Sequence, residues 1–296
     1  MKATKVRLAV GMPVYNGENY IEPAVESVLA QTFTDFELHI CDNASTDRTQ
    51  DICQAFARRD SRVHYHRQPA NLGGARNWND VFARADTELF KWMAHDDVLE
   101  PRFLERCVAG LDADPSIDIC QSATVRIGPR GERLCMAPPE PALSSTDPVV
   151  RFRHMIFRDY FMAIWGVMRS RLIRKTRMQQ GFSGADRCWM AEMMLFGRAG
   201  YIDEPLCLIR DHPDCYSRSR VTDAARRDWF DPSSRTPPLL QGWLKYCDYF
   251  KSIRRAPLTA AQRLACASHI VSWASLRTAQ RVGSRLRSRE VRPCRA

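Results

Sequence analysis

The sequence predicts an α/β fold: a mainly parallel sheet with helices on both faces. Three observations predict it. Short apolar runs alternate with helix-spaced apolar patterns through the first 125 residues. Each run ends in a polar or glycine-containing turn. The chain, at 296 residues with 45% hydrophobic and 26% charged residues, has the length and composition of a globular protein with its own core.

The elements follow in order. Val6 to Met12 is strand-like and is closed by Pro13. Glu22 to Ala30 carries Ala24, Val25, Val28 and Leu29 at helical spacing. Phe36 to Cys41 is a second strand, followed by the polar turn Asp42 to Asp47. Thr49 to Arg59 reads as a helix with Ile52, Phe56 and Ala57 on one face. Val63 to His66 is a third strand, Gly73 and Gly74 mark a turn, and Ala75 to Ala85 is helical. Leu89 to Met93 is a fourth strand ending at His95-Asp96-Asp97. Pro101 to Leu111 is helical, and Ile117 to Val125 is a fifth strand. Pro129, Pro138, Pro139 and Pro141 make Gly128 to Asp147 a loop or irregular hairpin. Phe152 to Ile173 is aromatic and apolar with interspersed Arg. Asp186 to Phe196 reads as a helix, Tyr201 to Ile209 as a strand, Asp214 to Pro238 as polar loop, and Leu239 onward as helix. The expected division is 1–238 for the α/β body, split near 127, and 239–296 for a basic helical extension.

Charge separates the same two parts. Residues 240–296 hold 12 of the 44 Lys and Arg but only Asp248 and Glu290 of the 34 acids, so the net charge of +10 sits there. A neutral body argues against a nucleic-acid-binding protein. The 11 cysteines form no CxxC pair and are odd in number, which suits reduced thiols in a cytoplasmic protein. No apolar run reaches the ~18 residues of a membrane span, and the N-terminus does not resemble a signal peptide.

In an open α/β sheet ligands bind at the carboxyl ends of the strands. Here those ends carry Pro13-Val14-Tyr15-Asn16-Gly17-Glu18, the segment Asp42 to Asp47, the segment Asn71 to Asn77, and His95-Asp96-Asp97. This edge is rich in carboxylate and amide side chains. It has neither a P-loop nor a G-x-G-x-x-G after the first strand. A phosphate ligand there calls for a cation, and Mg²⁺ or Mn²⁺ on Asp96 and Asp97 fits such oxygen chemistry.

These four segments, in this order and spacing, resemble the inverting GT-A glycosyltransferases of family 2, over Val6 to about Ser219. The resemblance implies a Rossmann-like GT-A fold and a nucleotide-diphospho-sugar donor with a UDP-like base. It also implies a divalent cation and an acceptor hydroxyl on a glycan, lipid-linked or small molecule. It places Pro13, Tyr15 and Glu18 at the base and ribose, Asp42 as an acceptor from the base, and Arg76 and Asn77 beside the nucleotide. Asp96 would face the ribose or sugar, and Asp97 would bind the metal. His95 stands where the strict D-x-D pattern has an acid.

Inverting transfer needs a carboxylate base and a cation for the leaving diphosphate. Gly184-Ala185-Asp186 resembles the family's base position, with Ala185 where a first acid often stands, so the resemblance implies Asp186 as the base, with Glu192 as the fallback. Asp186 also reads as a helix N-cap. Ile209-Arg210-Asp211-His212 resembles the family's Tyr-Arg-x-His segment, so Arg210 is expected at the diphosphate and His212 at the metal; both also read as plain loop residues. Phe161, Trp165 and Trp189 suit either a sugar-binding surface or a core. In the extension, Arg277, Arg281, Arg285 and Arg289 step by four on a helix with apolar Leu264, Ile270 and Val271. That pattern suits peripheral contact with the inner face of an anionic membrane, or a solvated face. Two rival functions remain open: a nucleotidyltransferase, and a non-catalytic nucleotide-sugar-binding or membrane-associated scaffold.

Overall fold

The computed structural model describes residues 6–158, 160–213, 215 and 228–290, with side chains for all of these except 238–241 and 279–290. A mixed sheet runs through the body. Its strands are β1 (Leu8–Val14), β2 (Phe36–Asp42), β3 (Val63–Arg67), β4 (Leu89–Trp92), β5 (Val98–Leu99), β6 (Ile119–Ile127), β7 (Arg133–Met136), β8 (Val167–Arg169) and β9 (Ala199–Arg210). Their order is β3-β2-β1-β4-β8-β6-β9-β5, with β7 paired to β6.

β1 to β4 are mutually parallel, while β8 is antiparallel to both β4 and β6. β9 is parallel to β6, so β6 and β9 run in the direction of β1 to β4. The ends Val14, Asp42, Arg67, Trp92, Ile127 and Arg210 therefore gather on one edge of the sheet.

Strand alternation decides which face each residue feeds. Leu8, Val10, Met12 and Val14 enter one core with Ile21, Val25 and Val28 of α1 (Ile21–Leu29), Cys53 and Phe56 of α2 (Thr49–Arg59), and Leu104 and Leu111 of α4 (Phe103–Ala113). Ala9, Phe90 and Trp92 enter the other. There they meet Trp78 and Val81 of α3 (Gly74–Ala83), Phe152 of α5 (Pro148–Phe157), Ile173 of the short α6 (Ser170–Ile173) and Trp189 of α7 (Ala185–Phe196). Trp78 and Trp92 stack with centroids 5.1 Å apart, and Trp189 meets Trp92 edge-on at 4.9 Å. Trp189 is a core residue, and Phe161 and Trp165 pack half-buried against the same core. Their area is used for packing.

The expected elements are present with ends shifted by one or two residues. Gly128 to Asp147 contains the turn and the second strand of the β6–β7 hairpin, closed by Gly128 N–H to the Glu132 carbonyl at 2.7 Å. Three short strands, β5, β7 and β8, and helix α5 add to the expectation. α5 has a regular start: the Asp147 carboxylate accepts from Val149 N at 2.9 Å, and Pro148 occupies the first turn. Most of the expected loop from Asp214 to Pro238 lies outside the described residues.

Helices α8 (Pro238–Arg255) and α9 (Ala260–Glu290) form the basic extension. They share a core with the body through Tyr249, Ile253, Cys266 and Ile270. An ionic network adds to this joint. Glu192, 1% exposed, accepts from Arg177 N at 3.0 Å, Arg177 Nε at 3.2 Å and Arg255 Nε at 3.3 Å, while Asp248 Oδ1 takes Arg177 Nη1 at 2.5 Å. The carboxylate held as fallback base is thus committed to joining α7 and α8. Among the described residues, no helix is long and apolar enough to cross a membrane.

Candidate active site

The site is built from four loops at the carboxyl edge. The loop after β1 is zipped onto the loop after β2. Asn16 N–H donates to Ser45 Oγ at 2.9 Å, Thr46 N–H to Asn16 Oδ1 at 2.8 Å, Gly17 N–H to Thr49 Oγ1 at 2.8 Å, and Glu18 N–H to Asp47 Oδ2 at 3.0 Å. Pro13 is half-buried at the end of β1, and Tyr15 is 43% exposed. Glu18 Oε2 accepts from Arg48 N at 3.1 Å and Arg48 Nε at 3.3 Å.

Asp42 is fully buried at the end of β2. Its Oδ2 accepts from Tyr65 Oη and Arg67 Nη1, each at 2.6 Å, and its Oδ1 from Ser45 N at 2.8 Å. Three of the roughly four acceptor sites of this carboxylate are thus taken, which leaves one on Oδ1.

The third loop is organised by amides. Asn43 Nδ2 donates to Asn71 Oδ1 at 2.8 Å, and Leu72 N to Asn43 Oδ1 at 2.8 Å. Gly73 has φ +86, and a Cβ there would lie 2.5 Å from the Phe230 carbonyl oxygen, so both turn and packing require glycine. Arg76 is exposed in the first turn of α3. Asn77 is buried and donates to the Cys41 carbonyl at 2.8 Å, tying α3 to β2.

The fourth loop separates the neighbouring carboxylates. Asp96 is half-buried, and its Oδ2 lies 3.0 Å from His212 Nε2 and 4.0 Å from Cys215 Sγ. Asp97 is 4% exposed and turns toward β9, where Oδ1 accepts from Arg210 N at 2.9 Å. Burial, reinforced by the Asp96 charge, holds the Asp97 carboxyl well above the usual range. His95 sits beneath the β1 loop, and burial lowers its pKa.

The end of β9 completes the edge. Arg210 Nε donates to the Asp96 carbonyl at 2.8 Å, and Nη1 to the Gly128 and Pro129 carbonyls at 3.2 and 3.1 Å. Its guanidinium carbon lies 4.9 Å from the Tyr20 ring, and that ring lies 4.6 Å from the His212 ring. The Arg210 side chain, expected at the diphosphate, is taken up by backbone carbonyls. His212 stands where a metal ligand was expected, but beside Asp96 rather than Asp97.

Asp186 lies half-buried in the first turn of α7. Burial raises its carboxyl pKa against the opposing pull of the Arg187 amide and the charges of Arg187 and Lys245. The cap position is taken by Gly184, so Asp186 stands in the first turn rather than at the N-cap. Asp186 and Trp189, three residues apart, share a helix face, and the Trp189 ring rests on Trp92 at the end of β4.

Tyr20, Arg67 and Cys215 are site residues absent from the sequence reading. Of these only Cys215 leaves a signal: His212-Pro213-Asp214-Cys215 has the two-residue gap common in metal-ligand pairs.

The mixed sheet with these loops at one edge defines a glycosyltransferase of the GT-A type. The chain belongs to glycosyl transferase family 2, whose model matches residues 9–182. EpsE of Bacillus subtilis (strain 168), a protein assigned as a glycosyltransferase, is 27% identical over 222 residues, 73% of this chain and 77% of its own length. Other relatives at 30–32% identity match over 98–101 residues and only 14–33% of their own lengths. Residues 1–349 of S. aureus TarS, solved with UDP, superpose with a TM-score of 0.66 at 18% identity, covering 89% of this chain and 70% of that one. The mannosyltransferase PcManGT from Pyrobaculum calidifontis, solved with GDP-Man and Mn²⁺, gives 0.52 at 16% identity, covering 96% and 81%.

Proposed function

We propose that this glycosyltransferase binds a nucleotide-diphospho-sugar at the carboxyl edge of β1 to β4 and transfers the sugar with inversion to an acceptor hydroxyl. The observation that carries this reading is the pairing of Asp96 with His212 at 3.0 Å, on the edge where the four loops meet. A carboxylate oxygen and an imidazole nitrogen at that spacing fit a divalent cation, Mg²⁺ or Mn²⁺, and Asp96 and His212 would hold it. When bound, such a cation neutralises charge developing on the leaving diphosphate.

The chain's own residues divide the remaining work. Pro13 and Tyr15 flank the base, and Asp42 accepts from it. Arg76 lies beside the nucleotide. Asn77, Asp97 and Arg210 position backbone, and Glu18 holds the β2 loop. Asp186 takes the proton of the acceptor hydroxyl; burial raises its pKa, which strengthens it as a base. The UDP bound by TarS supports a UDP-like donor, and the GDP-Man and Mn²⁺ bound by PcManGT support a nucleotide sugar with a cation.

The acceptor in this reading is a glycan or a lipid-linked saccharide, met at an anionic membrane surface. Support comes from the extension, where Trp243 is 67% and Phe250 46% exposed on α8, seven residues apart, beside exposed Lys251 and Arg254. Aromatic and basic residues on one helix face suit an interfacial helix. Of the expected Arg stripe only the Arg277 side chain is described; those of Arg281, Arg285 and Arg289 lie outside the described residues.

Incubation with a panel of UDP- and GDP-sugars and Mn²⁺ tests the proposal. Release of a nucleoside diphosphate is expected. Consumption of added pyrophosphate, with formation of a nucleoside triphosphate and a sugar 1-phosphate, would instead indicate a nucleotidyltransferase, and silence with every donor a scaffold.

A further inference from the structure

We infer that Cys215 is a third ligand of the cation held by Asp96 and His212, and that its thiolate turns the site from Mg²⁺ toward Zn²⁺ and Co²⁺. The inference rests on the cation reading proposed above. Among the described residues, this is the place where three His, Cys or acidic ligand atoms come together, all within 4.8 Å of one another. A four-coordinate ion with bonds of about 2.0–2.3 Å keeps its ligand atoms roughly 3.3–3.8 Å apart. The 3.0 Å from Asp96 Oδ2 to His212 Nε2 and the 4.0 Å from Asp96 Oδ2 to Cys215 Sγ bracket that spacing.

Local structure brings the thiol there. Cys215 N–H donates to the His212 carbonyl at 3.1 Å, and His212 N–H to Cys215 Sγ at 3.4 Å. This tight turn presents imidazole and sulfur to the same carboxylate. Cys215 Sγ lies 3.3 Å from the Arg210 carbonyl oxygen, close enough for the thiol to donate to it. Cation binding replaces the thiol hydrogen and releases it to solvent as a proton. Soft sulfur ligands favour Zn²⁺ over Mg²⁺, which prefers oxygen and retained water. Cys215 is 8% exposed and His212 7%, while Asp96 is half-buried, so the thiol and imidazole ligands are covered and the carboxylate side stays accessible.

The test is titration of the 296-residue chain with Co²⁺, read by the near-ultraviolet thiolate-to-cobalt charge-transfer band, with Zn²⁺ and Mg²⁺ affinities measured calorimetrically. Wild type should show a band that Cys215→Ser lacks, and the variant's Zn²⁺ affinity should fall by at least about tenfold, while Mg²⁺ affinity stays within a few fold. An unchanged band and unchanged Zn²⁺ affinity in Cys215→Ser would overturn the inference. Asp96→Asn and His212→Ala separate it from the cation reading. If those two lose Zn²⁺ while Cys215→Ser keeps it, the cation reading stands and the cysteine falls. If both bind as wild type does, the cation reading falls and takes the cysteine with it. A measurement on wild type avoids dependence on a variant's folding: Zn²⁺ should slow maleimide labelling of Cys215, followed by peptide mass spectrometry, and an unaltered labelling rate would count against ligation.

Discussion

Arg210 Nε donates to the backbone carbonyl of Asp96 at 2.8 Å, while the Arg210 amide donates to the Asp97 carboxylate at 2.9 Å. Strand β9 therefore grips the β4 loop by both its main chain and its side chain. Arg210→Ala should destabilise the protein by about 1–3 kcal/mol, because buried carbonyls lose their donor. Urea unfolding measures this. Unaltered stability with a raised donor KM would show instead that Arg210 serves the diphosphate.

The two aspartates should separate under conservative substitution. Asp97→Asn retains an oxygen for the Arg210 amide, so folding and Mn²⁺ affinity should stay close to wild type. Asp96→Asn weakens a ligand and should lower Mn²⁺ affinity by tenfold or more. Calorimetry on both variants decides the matter, and the reverse pattern would return the metal to Asp97.

Burial raises the Asp186 pKa, and a base must be ionised to act. Activity should therefore rise with pH through a value above the ordinary ~3.9 of aspartate. Below it the carboxyl is protonated and transfer stops. Asp186→Asn should lose about 10²–10⁴-fold in kcat and the acidic limb of the pH profile, with donor binding retained. A variant that keeps both rate and profile would remove Asp186 from the mechanism.

Gly17→Ala should be costly although the residue lies in a loop. A Cβ there would sit 2.6 Å from the His95 ring and 2.7 Å from Val14 Cγ2. Overpacking of that kind costs about 1–3 kcal/mol. The readout is a lowered midpoint of thermal unfolding, and a wild-type midpoint would contradict the close approach.

Membrane contact through α8 predicts that Trp243→Ala with Phe250→Ala lowers binding to phosphatidylglycerol-containing vesicles, as does Lys251→Glu with Arg254→Glu. Only the charge-reversed pair should alter the salt dependence. Sedimentation with vesicles tests both. Binding unaffected by either pair would leave this face in solvent.

The strand-end motifs were legible because a parallel α/β sheet forces its apolar runs to be near-continuous and places turns at fixed ends. β5, β7 and β8 were not, since two to four residues carry no readable period. The family resemblance assigns Asp96 to the ribose or sugar and Asp97 to the metal, but residue type and spacing could not separate two adjacent carboxylates: the position of β9 sends Asp96 to His212 and Asp97 to an amide. Nor could sequence show Asp96 and Cys215 meeting across 119 residues. Lys91 illustrates the same limit. A charged residue within β4 suggests exposure, yet it is wholly buried, with Nζ held by the Trp92 and Trp165 carbonyls, and burial lowers its pKa.

The joint between Glu192, Arg177 and Asp248 bears on how a shorter version of this enzyme could be produced. A truncation at residue 238, the boundary the charge distribution suggests, would amputate Asp248 and Arg255. Arg177 and Glu192 would keep one another and lose the rest of their partners, and the apolar flank of α7 would be bared to water. Such a fragment should be recovered from inclusion bodies rather than in solution, and a workable cut lies beyond Trp273, which among the described residues is the last to pack on the joint.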